Sequence, residues 1–278
     1  MRFLTASIFV LAFLSWYGTG SGSDRVVRQA ASLSGPGYQT NWLSADASTS
    51  WQFVGHESVG SAATASFKVT GKIELANSKL KSRDAGGIVV WLKPADGSTP
   101  RGGAKQRKTI NQRDKRFLPH VVAIEVGSEV DFPNDDPFFH NVFSIFNGKR
   151  FDLGLYASGE TRPVNFNRPG ISYIFCNIHP KMSAVVLALD TPHFAVSDKA
   201  GGFTINNVPT GEYRLSVWHE RAKPETLSAI SRNFQVGAED FNLGTISISE
   251  EGYVPRPHPN KHGQEYDSQQ NKPGYRKP

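Results

Sequence analysis

The sequence has little cysteine and methionine and no apolar run long enough to span a bilayer. The 278 residues include one cysteine, Cys176, and two methionines. A single cysteine excludes an internal disulfide and the zinc or iron–sulfur sites that need several thiolates. The uncharged run 3–17 is shorter than the roughly 20 apolar residues of a spanning helix. The sequence is therefore that of neither a disulfide scaffold nor a polytopic membrane protein.

Residues 1–22 are typical of a cleaved signal peptide. Arg2 precedes the apolar run, and small, polar residues follow it at 18–23. We expect cleavage after Gly20 or Gly22, and a mature protein that is periplasmic or otherwise secreted, with no integral membrane span. An uncleaved membrane anchor is the alternative for this segment.

Short apolar runs separated by turns predict an all-β protein. Only 38% of the residues are hydrophobic, and Gly and Pro are abundant at 26 and 17 residues. Runs rich in Val, Ile, Phe and Tyr in such a background favour strands. Between residues 101 and 190 they predict a Greek-key sandwich or barrel. Its strands are expected at 121–126, 129–133, 141–146, 151–156, 162–166, 171–176 and 184–190, with an eighth at 105–112.

A second β unit is expected at residues 191–249. Its Gly-Phe strand and its Val-Pro-x-Gly-x-Tyr turn resemble small sandwiches of the carboxypeptidase-regulatory or transthyretin-like type. Such domains open with strands similar to those in residues 67–100, so we expect these to fold with the C-terminal unit around an inserted central domain. Residues 23–66 are interpreted as an irregular lead-in, and residues 250–278 as a disordered tail.

The basic residues are unevenly distributed. The formal net charge is +6, but the chain lacks the basic and aromatic interleaving of a nucleic-acid module, so no nucleic-acid partner is expected. Residues 101–116 carry seven basic residues against one acid, Asp114. This stretch is either a docking surface for an acidic partner or a solvated hairpin, and charge runs are commonly just exposed faces.

Three residues of metal-binding type recur at intervals of three. Cys176, His179 and Met182 lie between two predicted strands, so one tight loop offers a thiolate, an imidazole and a thioether. Soft sulfur ligands combined with imidazole suit copper, and zinc at the same residues is the main alternative. His140 lies just before another strand, 36 residues upstream, and is the candidate for a fourth ligand. Two histidines and a cysteine with a weak axial methionine form the blue-copper site.

The segment 176–182, together with His140 and Asn141, resembles the cupredoxins, with the loop spacing of amicyanin. The resemblance covers about residues 105–190, and the whole chain is similar to exported proteins labelled methylamine-utilisation-like. It implies one type 1 copper ion held by His140, Cys176, His179 and Met182. It also implies that Asn141 ties the two ligand loops together by hydrogen bonds. Lys181 departs from the family, in which an aromatic residue stands beside the exposed histidine.

Electron transfer between redox protein partners is the function that this resemblance implies. The alternative is extracytoplasmic copper delivery or sensing through the same residues. The chain has only eight histidines, too few for the trinuclear cluster of a multicopper oxidase, and no hydrolase or phosphate-loop motif outside the leader. We therefore do not expect an enzyme. The sequence leaves the oligomeric state open.

Overall fold

A computed structural model describes residues 65–77, 84–100, 102–145, 148–251 and 258–265, together with the backbone of three short N-terminal strands. The chain divides into two compact units, residues 1–63 and 64–278. In the first unit, β1 (Arg28–Ala30), β2 (Trp42–Ala45) and β3 (Trp51–Gln52) form an antiparallel sheet. The lead-in expected to be irregular thus contains strands. The predicted leader, residues 1–22, lies outside the described residues.

The second unit opens with two strands and then a series of ten. The first two are β4 (Ser66–Ala76) and β5 (Val89–Pro94). The next ten are β6 (Arg107–Thr109), β7 (Asn111–Arg113), β8 (Arg116–Leu118), β9 (Val121–Glu125), β10 (Glu129–Pro133), β11 (His140–Ser144), β12 (Phe151–Tyr156), β13 (Thr161–Asn165), β14 (Gly170–Phe175) and β15 (Ser183–Leu189).

The ten strands form a β-sandwich, called here the central sandwich. One sheet has the order β13-β10-β6 and the other the order β12-β11-β14-β15-β9, while β7 and β8 pair as a separate hairpin. Apolar side chains from both sheets meet in one buried core, including Val130 and Phe132 from the first and Val142, Ile174 and Val186 from the second. The all-β class is confirmed.

The remaining elements complete a second sandwich, called here the flanking sandwich. They are β16 (Phe194–Val196), β17 (Gly202–Pro209), β18 (Gly211–Trp218), α1 (Pro224–Ile230), β19 (Arg232–Val236) and β20 (Phe241–Ser249). Its sheets have the orders β16-β5-β18-β19 and β17-β4-β20. Strands that precede the central sandwich in sequence therefore pair with strands that follow it. The sequence did not predict α1, although Pro224 at its first turn is a common start signal.

The two sandwiches share a third hydrophobic cluster. Alternate residues of β5 face opposite ways: Val90 and Leu92 enter the core of the flanking sandwich, and Val89 enters the shared cluster. On β15, Val186 faces the central core while Leu187 faces the shared cluster. Strands buried on both faces have continuous apolar sequences, because neither face meets water. This explains the unbroken apolar runs of β5 and β15.

Residues 258–265 are ordered and pack on the central sandwich, which differs from the disorder expected for the whole tail. Polar side chains and backbone groups make these contacts, as described below, so the low apolar content of the tail did not reveal them. The other residues of the tail beyond 251 lie outside the described part of the chain. Within the described residues, no helix is long and apolar enough to cross a membrane.

A charged pair also links the two sandwiches. His120 Nε2 lies 2.7 Å from Glu220 Oε2, and its Nδ1 lies 3.0 Å from the carbonyl oxygen of Ser183. Both partners accept hydrogen bonds, so the doubly protonated imidazolium is favoured. The bond to Glu220 raises the pKa of His120 above 6.5. Burial alone would raise the pKa of Glu220, but the hydrogen bond and charge of His120, helped by Arg221 and His219, lower it below 4.5.

We expect the Glu220→Gln variant to lose more stability near pH 6 than near pH 9. The histidine contributes fully below its unfolded pKa of 6.5 and loses its contribution as the pH rises through the raised folded value. The glutamate contributes stability above its unfolded pKa of 4.5. Both groups therefore stabilise the protein between pH 4.5 and pH 6.5. Urea unfolding at the two pH values measures the difference, with the exposed Glu239→Gln as control. An equal loss at both pH values would contradict the assignment.

Candidate metal centre

The central sandwich brings the predicted ligand loops to one edge. His140 begins β11, and Cys176 directly follows β14. These strands are antiparallel neighbours, joined at Phe143 and Phe175, so the start of one lies beside the end of the other. His179 lies in the loop between β14 and β15, which returns the chain past Cys176.

Three of the predicted ligands converge. Cys176 Sγ lies 3.8 Å from His140 Nδ1 and 3.5 Å from His179 Nδ1. The donor atoms of these three residues all lie within 4.8 Å of one another. Among the described residues this is the only His, Cys, Asp and Glu grouping with metal-binding geometry. His140 and Cys176 are fully buried, while His179 is partly exposed.

Asp136 fixes the orientation of His140. Its Oδ2 lies 2.7 Å from His140 Nε2, and because a carboxylate accepts, this nitrogen carries the proton. The lone pair of the neutral imidazole is then on Nδ1, the atom that faces Cys176. Burial lowers the pKa of His140, which keeps the ring neutral. A histidine that donates its other nitrogen to a carboxylate is the usual arrangement of a metal-binding imidazole.

Asp136 is itself held by the β7–β8 hairpin. The backbone N–H groups of Asp114 and Lys115 donate to its two carboxylate oxygens at 2.7 and 3.0 Å. Both hairpin residues have positive φ angles of 54° and 55°, which suits a two-residue turn between antiparallel strands. Burial alone would raise the pKa of Asp136, but these bonds and that to His140 lower it, so the group is a carboxylate.

Burial shifts the pKa values of both Cys176 and His179. Burial raises the pKa of the Cys176 thiol, whereas backbone hydrogen bonds from Asn141, Ile178 and His179 oppose the rise. Burial and the nearby His140 lower the pKa of His179 to about 4, so this imidazole is neutral at pH 7. The low pKa leaves the His179 imidazole free to coordinate a metal, whereas the Cys176 thiol must lose its proton when it binds one.

Met182 and Asn141 both form hydrogen bonds with the segment that carries Cys176 and His179. The Met182 side chain is 1% exposed and belongs to the same buried cluster as Cys176. Its backbone N–H donates to the carbonyl of His179 at 3.0 Å, which closes the ligand loop. Asn141 accepts from the N–H of Asn177 at 3.3 Å and donates to Asp152 at 2.8 Å, so it links the two loops.

Solved structures similar to this chain include a cupredoxin, a copper-containing nitrite reductase and an amicyanin. One is a purple cupredoxin from Nitrosopumilus maritimus, 24% identical over 30% of this chain and 100% of that chain, with a TM-score of 0.28. A copper-containing nitrite reductase from Thermus scotoductus is 25% identical over 41% of this chain and 28% of its own, with a TM-score of 0.29. Amicyanin from Paracoccus versutus is 19% identical over 35% of this chain and 97% of its own, with a TM-score of 0.28.

No protein-family model and no curated protein matches the chain.

The C-terminal segment 258–265 contacts the ligand loop from outside. The Lys261 N–H donates to Asn177 Oδ1 at 2.9 Å, and its ammonium lies 2.9 Å from Asp152. The His258 ring stacks on Phe175, with ring centroids 4.0 Å apart. Lys261 thus joins the hydrogen-bond network that runs through Asn141. Sequence composition missed this segment, because single polar contacts do not produce a hydrophobic pattern.

We expect the Asp136→Asn variant to bind copper about 10 to 100 times more weakly, the usual effect of removing a partner that orients a ligand. An amide oxygen is a weaker acceptor for the His140 proton, and the amide nitrogen competes by donating. Affinity is measured by competition with a chromophoric chelator.

The matched control is Asp135→Asn, since Asp135 is the neighbouring carboxylate and pairs with Arg113 instead of His140. Circular dichroism of the metal-free variants checks that each is folded. Equal copper affinities of the two variants would show that Asp136 does not support metal binding.

Proposed function

We propose that this protein is an exported type 1 copper protein that carries single electrons between redox partners. His140, Cys176 and His179 are the strong ligands of the proposed site, and Met182 is the weak axial ligand. The observation that carries the proposal is the convergence of two imidazole nitrogens and one thiol sulfur within 4.8 Å.

The chemistry of these donors fits copper. Imidazole nitrogen and thiolate sulfur bind copper in both of its oxidation states, whereas magnesium and calcium require oxygen ligands. When bound, a copper ion at such a site accepts and releases one electron. A buried methionine in the same loop supplies a soft sulfur that a structural zinc site does not usually include.

Residues around the candidate ligands hold them in position. The Asp136 bond selects the tautomer of His140, and Asn141 connects the two ligand loops. The strands that carry His140 and Cys176 are paired in one sheet. A scaffold that holds its ligands rigidly rearranges little when the copper ion is oxidised or reduced, which favours rapid electron exchange. His179, the partly exposed ligand, provides the route to the surface.

The proposed role is non-enzymatic. Electron exchange through an imidazole edge needs no substrate cavity at the metal. Copper delivery through the same ligands is the competing role, and the two differ in how firmly copper is held. A delivery protein releases copper readily to an acceptor, whereas an electron carrier retains it through repeated reduction and oxidation.

We expect the copper-loaded protein to show an intense visible thiolate-to-copper band that reductant bleaches reversibly. Cys176→Ser should abolish the band because the serine hydroxyl supplies no thiolate. Visible and electron paramagnetic resonance spectra of both proteins make the measurement. The histidine control is His262→Ala, which removes an exposed ring and should leave the band unchanged.

A protein that binds copper without this band contradicts the electron-carrier proposal. Loss of copper to a chelator during each redox cycle would support delivery instead. Binding of zinc in preference to copper would indicate a structural metal.

We also propose that the protein works outside the cytoplasm. The recovered mature protein is expected to begin at Ser21 or Ser23, as cleavage after Gly20 or Gly22 requires. Intact-mass measurement on the extracytoplasmic fraction gives the N-terminus. An intact Met1 in a cytoplasmic fraction would overturn this localisation.

A further inference from the structure

We propose that the edge of the central sandwich around His179 is the docking surface for an acidic redox protein, with Lys115 and Lys181 as its recognition charges. The inference rests on the proposed function, because it names the class of partner that exchanges electrons there. It draws on the basic stretch 101–116, whose role the ligand set does not explain.

Phe138 places Lys115 beside the two ligand imidazoles. The Lys115 ammonium lies 5.5 Å from the centroid of the Phe138 ring. That ring lies 5.2 Å from the ring of His140 and 5.8 Å from the ring of His179, measured between centroids. The ammonium thus lies over a ring that is close to both imidazoles, and burial together with this charge lowers the pKa of each.

Lys181 brings a second cation to the same edge. It is exposed and lies between His179 and Met182 in the ligand loop. No carboxylate of the described residues forms an ion pair with Lys115 or Lys181. Both positive charges therefore remain available to an approaching molecule.

The nearby carboxylates are already engaged within the protein. Asp135 pairs with Arg113, Asp136 binds His140, and Asp152 pairs with Lys261. Asp114 and Arg116 are both exposed in the same hairpin and form no ion pair among the described residues, so their opposite formal charges cancel. The edge therefore has unpaired positive charge and little free negative charge, which complements an acidic surface.

Exposed apolar side chains complete the surface. Phe139, next to His140, is 52% exposed, and Leu155 is 57% exposed. Leu155 pairs with Asn141 across β11 and β12, so it lies at the same edge as Phe139. Apolar contacts flanked by charges are typical of a surface that docks a protein, since charges steer the encounter and apolar area holds it. A nucleic acid would not need the apolar part.

The first test is independent of copper chemistry. Hexacyanochromate(III) is a redox-inert, paramagnetic trianion that broadens nuclear magnetic resonance signals near its binding site. Added to the full mature protein, it should broaden the amide signals of Lys115, Phe138 and residues 179–181 selectively. The variant K115E/K181E should lose this effect, and K68E/R214E should keep it. The control changes the net charge equally through exposed residues of the flanking sandwich.

The second test measures electron exchange with two small reagents. The reduced, copper-loaded protein gives one electron to hexacyanoferrate(III), which becomes hexacyanoferrate(II), or to tris(phenanthroline)cobalt(III), which becomes cobalt(II). No bond or proton is transferred. At low ionic strength, K115E/K181E should slow the reaction with the anion roughly tenfold and accelerate that with the cation, as expected for local electrostatic steering. K68E/R214E should change both rates much less, because separated charges are screened.

Broadening spread over the whole surface, or equal effects of the two double variants, would overturn the docking inference. Failure of the proposed electron-carrier function gives a different result. Neither reagent would then exchange an electron with the wild-type protein, while hexacyanochromate(III) would still broaden the amide signals around Lys115 and Lys181.

Discussion

The hydrogen bond between Asp136 and His140 is the constraint on which the site depends. It determines which imidazole nitrogen carries the proton, and therefore which nitrogen faces Cys176. The same carboxylate accepts from the turn of the β7–β8 hairpin. A hairpin outside both main sheets thus takes part in the site by holding one carboxylate. The hairpin turn also brings Lys115 to the edge of the central sandwich that carries the candidate ligands. The same turn therefore fixes the orientation of His140 and contributes positive charge to that edge.

The sequence predicted the strands of the central sandwich well because their signals are local. The seven predicted strands between 121 and 190 agree with the structure to within about two residues at each end. The eighth, expected as one strand at 105–112, is instead divided between β6 and β7, since the chain leaves the sheet at Ile110 to form the hairpin. The pattern of Cys176, His179 and Met182 was equally local, and the structure brings two of these residues to His140.

The parts that sequence patterns missed depend on contacts distant in the chain. Nothing in the neighbourhood of Asp136 distinguishes it from Asp135, because the choice is made by a hairpin about 20 residues away. Lys261 contacts Asn177 and Asp152 through individual polar groups, and these leave no periodic signal. Strand β5 lies among the strands expected within residues 67–100, but only the structure shows that its two faces enter different cores. Residue propensity and hydrophobic periodicity are properties of one segment of the chain. The features missed here arise from contacts between two segments that are distant in sequence.

The pairing of β4 with β17 and β20 has a consequence for the order in which the chain can fold. The central sandwich has all its strands once residue 189 has been synthesised, but β4 must await partners that emerge later. Such long sequence separations carry a loop-closure cost and slow folding. Residues 258–265 emerge later still and bind beside the ligand loop. The complete surroundings of residues 176–182 are therefore a property of the finished polypeptide, and a nascent chain that already contains all four candidate ligands still lacks them.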